Sequence, residues 1–106
     1  MIKPWVFEFV PEKMDASGVR AEPDYFHRYI DLWSRDEALG FEGVFFSEHH
    51  YGGSFSSSPN LLVAATAMRT NSMRLGVMGV VTAYYAPIRL LEEIGLLDQL
   101  TRGRLE

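Results

Sequence analysis

The chain has 106 residues and no cysteine, 47% of its side chains are apolar, and ten basic against fourteen acidic residues give a formal charge of -4. This composition is typical of a globular protein with one core, and it excludes disorder, disulfides, thiol catalysis and zinc ribbons. The acidic balance without a basic stripe argues against nucleic-acid binding.

Neither a membrane span nor a targeting segment is predicted. No part of the sequence supplies the ~20 predominantly apolar residues that a spanning helix needs. The amino-terminal apolar run is broken by Glu8 and lacks a small-residue cleavage site, so we do not expect a signal peptide. We expect a single domain over residues 1–106 and a cytoplasmic location, with neither nucleic acid nor a membrane as partner.

The first two predicted elements are a strand and an amphipathic helix. Residues 5–10 are rich in β-branched and aromatic side chains and stop before Pro11, which predicts a strand. Glu8 is a charge inside this strand, and it belongs either at a solvated sheet edge or in a pocket. Residues 24–39 carry apolar side chains at helical spacing, with Gly40 where a C-terminal cap belongs.

The second strand is predicted over residues 43–47, without polar alternation, as expected for a strand that is covered on both faces. It runs directly into an acidic residue and two histidines at positions 48–50. A helix is predicted over 59–68, with Ser58 as its cap and Pro59 in its first position. Leu61, Leu62, Ala65 and Met68 form an apolar stripe at helical spacing.

The third strand is predicted over residues 73–81, and a third helix runs from Pro87 to a stop at Gly103. Gly76 and Gly79 indicate that either a flat group or a packed helix approaches this strand closely. The side chains of the third helix expected to face inward are Ile88, Leu91, Ile94 and Leu97 or Leu100.

The order of elements is therefore strand, helix, strand, helix, strand, helix. This alternation predicts an α/β fold with a parallel sheet and right-handed crossovers. Three parallel strands are few for a complete domain, and the sequence stops where a fourth strand is expected. We interpret the chain as the front part of a (β/α) barrel, although the composition is also compatible with a small three-layer domain.

Polar side chains follow all three predicted strands. In a parallel barrel the carboxyl ends of the strands meet at one rim, so these side chains are expected to lie close together. Neighbouring residues at a strand end project to opposite sides, so at most one of the two adjacent histidines points into the barrel mouth. The rim candidates are Glu8, Glu48, His49, His50, Thr82, Tyr84 and Tyr85.

An imidazole beside a carboxylate is a natural proton carrier near neutral pH, and Glu48 and Glu8 are the candidates to orient it. The alternative interpretation is that the histidines only complete a hydrogen-bond network at the rim. No metal site is expected, because adjacent histidines do not chelate one ion and His27 lies on the first helix. Ser47 lacks the surroundings of a serine nucleophile, and no Gly-x-Gly-x-x-Gly dinucleotide motif is present.

Several segments resemble the bacterial luciferase family of flavin-dependent monooxygenases, and together they cover nearly the whole chain. The most specific are the Glu-His-His triplet at 48–50 and the Leu-Asp-Gln-Leu…Gly-Arg segment at 97–104, which occur in the family's order and at its spacing. The other segments that carry the resemblance are 40–47, 59–60 with the alanine-rich helix that follows, 73–77 and 87–93.

The resemblance implies the N-terminal portion of a (β/α)8 TIM-type barrel, incomplete in this chain, with reduced FMN at the carboxyl rim or the deazaflavin F420 as the alternative cofactor. It implies that His49 is the catalytic residue that manages a proton, supported by Glu48. It also implies a cis peptide bond between Met78 and Gly79. The cofactor-binding residues expected on this basis are Glu8, His50, Met78, Gly79 and Val80.

The implied activity is oxidation of a small organic substrate by reduced FMN and O2, with a separate flavin reductase as a further partner. The second and third helices resemble those that pair subunits in relatives, which implies a homodimer or heterodimer. The family's phosphate-binding segments lie beyond Glu106, so residues 1–106 alone are expected to bind flavin poorly and to be inactive. Two alternatives stay open, namely an F420-dependent dehydrogenase on the same scaffold and a non-catalytic partner subunit.

Overall fold

A three-stranded parallel sheet forms the centre of the computed structural model, which describes residues 1–10, 24–51 and 56–106. Strands and helices alternate along the chain, so the predicted α/β class and element order are confirmed. The elements are β1 (Trp5–Glu8), α1 (Tyr25–Ala38), β2 (Gly43–Phe46), α2 (Pro59–Ala67), β3 (Arg74–Val77), a short 3-10 helix (Thr82–Tyr84) and α3 (Pro87–Thr101).

The sheet has the order β1-β2-β3, and the chain after α3 continues it beyond β3. Glu8, Phe46 and Val77 occupy one row across the three strands. Leu105 pairs in parallel with Leu75, whose N–H donates to the Arg104 carbonyl at 2.9 Å and whose carbonyl accepts from the Glu106 N–H at 2.9 Å. The position of a fourth parallel strand is therefore already occupied at its first residues.

The two faces of the sheet differ in burial. Alternation along the strands places one set of side chains under the helices, where Val44, Phe46 and Leu75 are completely buried together with Trp33 of α1. The opposite face is open among the described residues, and Phe7 on it is 53% exposed. Apolar burial against the helices therefore fixes which residues of each strand face inward and which remain accessible.

The strands are shorter than the sequence predicts, most of all the third. The last ladder bond after β3 runs from the Met78 N–H to the Phe46 carbonyl at 2.9 Å. Val81, which was predicted to lie in the strand, instead donates its N–H to the side chain of Glu48 at 2.8 Å. The chain leaves the sheet after Val77, because its backbone donors find a carboxylate in place of a strand partner.

Glycines mark a close approach at one position and a helix end at another. A Cβ on Gly76 would lie 2.7 Å from the Phe45 ring and 2.6 Å from the Glu106 carbonyl oxygen, so these groups make the close approach expected at the third strand. Gly79, by contrast, has no described atom within 4 Å of such a Cβ. Leu39 is the C-cap of α1, and Gly40 follows it with φ +90°, at the position where glycine commonly ends a helix.

The apolar stripe predicted for α2 is only partly buried. Leu61 and Met68 are 70% and 61% exposed, whereas Leu62 packs against the core. Ser58 occupies the N-cap position as predicted, without a side-chain hydrogen bond to the helix. Because α2 is apolar on several faces, periodicity alone does not say which face meets the sheet. Its buried residues are Pro59, Asn60, Val63, Thr66 and Ala67.

The prediction of which α3 side chains face inward was partly wrong. Leu97 is buried as predicted, but Ile88, Leu91 and Ile94 are 67%, 65% and 41% exposed. Leu100 is partly buried. The longest described helix is α3, with 15 residues, and none of the described helices is long and apolar enough to cross a membrane.

A carboxylate joins α1 to the turn before β3. Glu37, near the end of α1, accepts the backbone N–H groups of Asn71, Ser72 and Met73 at 2.5 to 3.1 Å, and also the Ser72 hydroxyl at 2.8 Å. Burial by itself would raise the pKa of Glu37, but these donors outweigh it and hold the pKa below the ordinary value. The contact closes the amino end of the sheet on one side.

A guanidinium closes the same end from the other side. Arg104 donates to the backbone carbonyls of Ala67, Met73 and Thr101 at 2.7 to 3.1 Å and to the Thr70 hydroxyl at 2.9 Å. Burial lowers the pKa of this side chain. The fork of donors satisfies carbonyls at the ends of α2 and α3 that lack intrahelical partners, and it holds the two helix ends together.

We predict that Glu37→Ala lowers the free energy of unfolding by about 1 kcal/mol at pH 7, because three N–H groups lose a charged acceptor at a partly exposed site. The folded pKa of Glu37 lies below its ordinary value of 4.5. Its stabilisation is therefore present above pH 4.5 and is lost as the pH falls through the folded pKa. Urea unfolding at several pH values measures both effects.

Asp31→Ala is the matched control for this experiment, because the Asp31–Arg69 pair is more than half exposed on both sides. We expect it to change the unfolding free energy by less than about 0.5 kcal/mol. An equal loss in both variants, or a Glu37→Ala loss that persists unchanged well below pH 4, would contradict the role given to Glu37.

Candidate active site

His49 lies at the carboxyl end of β2, with its ring against Phe9. The two ring centroids are 4.3 Å apart and the planes are inclined by 37°. Phe9 meets Phe7 edge-on at 6.3 Å, and Phe7 stands on the open face of the sheet. The His49 N–H donates to the Ser56 carbonyl at 2.9 Å, which fixes the backbone from which the imidazole projects. The His49 imidazole therefore lies on the side of the sheet that the helices leave free.

Glu48 is completely buried at its side chain and has different partners from His49. One carboxylate oxygen lies 2.7 Å from His50 Nε2, and the other accepts the Val81 N–H at 2.8 Å. The acid of the triplet therefore orients His50 and the chain after β3. The described interactions include no direct contact between Glu48 and His49. The expectation that Glu48 supports His49 stays a prediction.

His50 lies between Glu48 and the connection that follows β3. Its ring centroid is 4.1 Å from that of Tyr84, and its side chain is 21% exposed. The two adjacent histidines thus have separate surroundings, with His49 on Phe9 and His50 on Tyr84. The Tyr85 hydroxyl also faces this acid: burial first, and then the charges of Glu48 and Glu93, raise the pKa of Tyr85.

Glu8 faces α1. Its carboxylate accepts the Trp33 indole N–H at 2.9 Å, and Trp33 in turn packs edge-on against Phe46 at 4.7 Å. The pKa of Asp36 on α1 is raised by burial and, to a smaller extent, by the negative charge of Glu8. Glu8 therefore contributes to the contact between β1 and α1, on the opposite side of the sheet from Phe7 and the His49 ring.

The three remaining predicted cofactor residues follow β3. The Met78–Gly79 peptide bond is cis, as the resemblance implied, and Met78 is 55% exposed. Val80 lines a cavity of about 370 Å³ that reaches beneath α3, where Ile94 and Leu97 form part of its wall. The cis pair thus lies at the carboxyl end of the sheet, whereas Val80 contributes to the cavity on the helix side.

The described part of the chain contains no group of three or more His, Asp or Glu side chains that could hold a metal ion. The chemistry that the described rim offers comes from two partly exposed imidazoles, aromatic surface and the buried carboxylate of Glu48.

Comparison with known proteins identifies this arrangement. The family model described as luciferase-like monooxygenase matches residues 6–106. The chain belongs to this family. The resemblance carried by the Glu-His-His triplet is thereby confirmed, and so is the assignment of the fold to a portion of a TIM-type barrel.

Two curated relatives of this chain are named as monooxygenases. The chain is 40% identical over 74 residues to the alkanal monooxygenase alpha chain of Aliivibrio fischeri, covering 68% of this chain and 21% of that protein. It is 36% identical over 80 residues to limonene 1,2-monooxygenase of Rhodococcus erythropolis, covering 74% of this chain and 21% of that protein. The chain therefore spans about a fifth of the length of these curated relatives.

A solved structure supports the same fold. The oxygenating constituent of 3,6-diketocamphane monooxygenase from Pseudomonas putida, a type II Baeyer-Villiger monooxygenase in complex with FMN, superposes with a TM-score of 0.83. It shares 23% sequence identity, and the match covers 99% of this chain and 28% of that chain. At this identity the likeness establishes the fold.

Sequence reasoning missed the structural partners of three candidate residues, namely Phe9 beside His49, the Val81 N–H at Glu48, and Trp33 at Glu8. Strand alternation places Phe7 and Phe9 on one face, but their position relative to His49 follows only from the register between β1 and β2. No sequence pattern indicated the hydrogen bond from the Val81 N–H to Glu48, because the sequence predicts that Val81 lies inside a strand.

We predict that Glu8→Gln lowers the pKa of Asp36 toward its ordinary value of 3.8 without reaching it, because the charge of Glu8 is removed while the burial of Asp36 remains. Titration of the Asp36 carboxyl carbon by NMR measures the shift. Glu42→Gln is the control, because Glu42 pairs with Lys3 at the amino end of the sheet. An Asp36 pKa that responds equally to both substitutions, or to neither, would contradict this geometry.

Proposed function

We propose that this chain supplies the proton-handling part of the active site of a flavin-dependent monooxygenase, which uses reduced FMN and O2 to oxidise a small organic substrate. One observation carries the proposal: the His49 imidazole lies on the open face at the carboxyl end of the sheet, against Phe9. The residues 1–106 then form about three β/α units of one barrel domain, and the rim is the place where such barrels bind their ligands.

The residues at this rim fit a flat, largely apolar ring system. Phe9 is 49% exposed and Met78 is 55% exposed, so both offer apolar surface that would be covered by a ligand. A Cβ on Gly79 would meet no described atom within 4 Å, which leaves room beside Met78. When bound, reduced flavin supplies the electrons that activate O2.

His49 is the described imidazole on the open face of the rim, and an imidazole can both accept and donate a proton. The contact with the Phe9 ring restricts the imidazole, and the hydrogen bond from the His49 backbone N–H to Ser56 fixes its point of attachment. Phe9 also keeps water from one side of the imidazole. These features suit a general acid or base that acts at a fixed position.

The choice of FMN over F420 is supported by the FMN complex of the 3,6-diketocamphane monooxygenase constituent. The relatives that act on alkanals and limonene support a small organic substrate. The proposal includes a separate flavin reductase as the source of reduced cofactor and a cytoplasmic location, which the lack of cysteine favours. Glu8 is left out of the proposed cofactor contacts, because its carboxylate is bound to Trp33.

We expect His49→Ala to lower turnover by about 10²- to 10⁴-fold in the protein as expressed from its own gene, while the affinity for reduced flavin changes much less. The reason is that the substitution removes the proton carrier but leaves the apolar surface of Phe9 and Met78. Stopped-flow kinetics and anaerobic flavin titration measure the two quantities. His27→Ala, at an exposed position on α1, is the control.

Equal losses of turnover and flavin affinity in His49→Ala, or no loss of either, would contradict the role of His49. Parallel titration with reduced FMN and reduced F420 tests the choice of cofactor. Tighter binding and turnover with F420 would replace the monooxygenase proposal with a dehydrogenase on the same scaffold.

The proposal also includes a dimer formed through the outer face of α2 and α3. Asn60 on α2 donates to Glu93 on α3 at 3.1 Å, so the two helices lie side by side. Large exposed apolar side chains that lie together on one surface are typical of protein interfaces. Those on this face are Leu61 and Met68 of α2 and Ile88 and Leu91 of α3.

We predict that the double substitution Leu61→Glu and Leu91→Glu converts this dimer to a monomer, because two charges on each copy would be buried at the contact. Sedimentation velocity measures the oligomeric state. Leu39→Glu is the control, since Leu39 is 73% exposed just after α1. A wild-type protein that sediments as a monomer at high concentration, or a double variant that stays dimeric, would overturn this part of the proposal.

A further inference from the structure

We propose that Glu48 is the positioning residue for the connection between β3 and α3: its buried carboxylate fixes residues 78–85 against the end of β2 and so sets one wall of the cofactor site. This inference rests on the proposed function for its consequence. Its structural content stands on the contacts of Glu48 alone.

The carboxylate acts as a bridge between two strand ends. Glu48 follows β2, and its two oxygens bind in two directions, one to the Val81 N–H at 2.8 Å and one to His50 Nε2 at 2.7 Å. The side chain is completely buried, and a buried carboxylate is costly unless its oxygens are satisfied. The fixed donors therefore confine the acid to one geometry, and the acid confines its donors in return.

This bridge takes over where the sheet ladder stops. The last backbone bond that ties the end of β3 to β2 is made by the Met78 N–H. Three residues later the Val81 N–H binds the Glu48 side chain, so the chain containing the Met78–Gly79 pair is held at both ends. The exposed Met78 side chain belongs to the first of these attachments, and Gly79 and Val80 lie between the two.

His50 extends the attachment further along the connection. Its ring is bound to Glu48 and lies 4.1 Å from the ring of Tyr84, centroid to centroid. One acid thus reaches the connection directly at Val81, and at Tyr84 through His50. The second histidine of the triplet acts in this assembly, apart from His49.

The geometry separates a positioning role from a proton-transfer role. A glutamine at position 48 has an oxygen that can accept the Val81 N–H and an NH2 group that can donate to a neutral His50 ring. It therefore preserves the bridge, but it cannot carry a proton as a carboxylate does. Alanine removes both contacts. A positioning residue is rescued by glutamine, whereas a residue that transfers a proton is not.

The experiment compares Glu48→Gln and Glu48→Ala with the wild type in the protein as expressed from its own gene. Amide hydrogen exchange over residues 78–85 reports the bridge without any cofactor, and anaerobic titration with reduced FMN reports its consequence. We expect Glu48→Ala to speed exchange at Val81 by about 10-fold or more and to weaken FMN binding by a similar factor. Glu48→Gln should stay within about threefold of the wild type in both, since it retains the two hydrogen bonds.

Glu92→Ala is the matched control, because Glu92 is an exposed acid on α3 that lies 3.9 Å from Arg89. It should leave exchange at 78–85 and FMN affinity unchanged. If Glu48→Ala fails to fold, Val81→Pro tests the same bridge from the other side. It removes the N–H donor at a residue whose φ of -82° lies close to the range that proline adopts, and we expect it to weaken FMN binding as Glu48→Ala does.

Unchanged exchange in Glu48→Ala would overturn the proposal, and so would faster exchange without loss of FMN affinity. Glu48→Gln with native exchange but turnover as low as that of His49→Ala would assign proton transfer to Glu48 and overturn its positioning role. If the wild-type protein binds no flavin, the proposed function fails, while the exchange measurement still decides whether Glu48 holds the connection.

Discussion

Parallel pairing of β2 with both of its neighbours is the constraint on which the rest of the molecule depends. In this pairing Glu8, Phe46 and Val77 end their strands in one row, so the segments that follow all emerge at the same edge. Side chains from three distant parts of the sequence then meet without any of them having a local preference to do so. The burial of Phe46 against Trp33 holds the row in register, because a shift of β2 by one residue would turn Phe46 to the open face.

The row of Glu8, Phe46 and Val77 has one side toward the helices and one open side, and the two sides make different contacts. On the helix side lie the Glu8–Trp33 hydrogen bond and the apolar core, which together join α1 to the sheet. On the open side lie Phe9 and His49, which remain accessible. Glu48 belongs to neither surface, since it is buried between the end of β2 and the connection after β3. The Glu-His-His triplet is therefore divided, with His49 on the open side against Phe9 and Glu48 bound to His50 at the connection after β3.

Much of the fold could be predicted from the sequence, because it rests on local patterns. Alternating apolar segments, Gly40 after the first helix and prolines at the starts of the next two helices define the elements within a few residues. The sequence could not predict which apolar side chains of α2 and α3 face solvent, because both helices carry apolar side chains on more than one face. For these helices the sheet selects the face that packs best, and it selects Asn60 and Thr66 over Leu61.

The candidate site was predictable to a smaller extent, for a physical reason. Residue types suited to proton transfer can be found by reading the sequence, and the triplet at 48–50 was found in this way. The partner of each side chain depends on strand register and on where a strand ends, and neither is encoded locally. Glu8 was placed in the site because it lies at the end of a strand, but alternation turns it toward α1.

Different residues stabilise the two ends of the sheet, and this affects which substitutions the fold tolerates. Glu37 and Arg104 bind backbone groups at the amino end, through contacts that involve no side chain of the opposite edge. Substitutions in the segments that carry Phe9, Met78 or Tyr84 therefore leave this anchorage intact. Substitutions at the carboxyl end of the sheet can then change specificity while the contacts at the amino end keep the fold stable. One scaffold can acquire several specificities in this way.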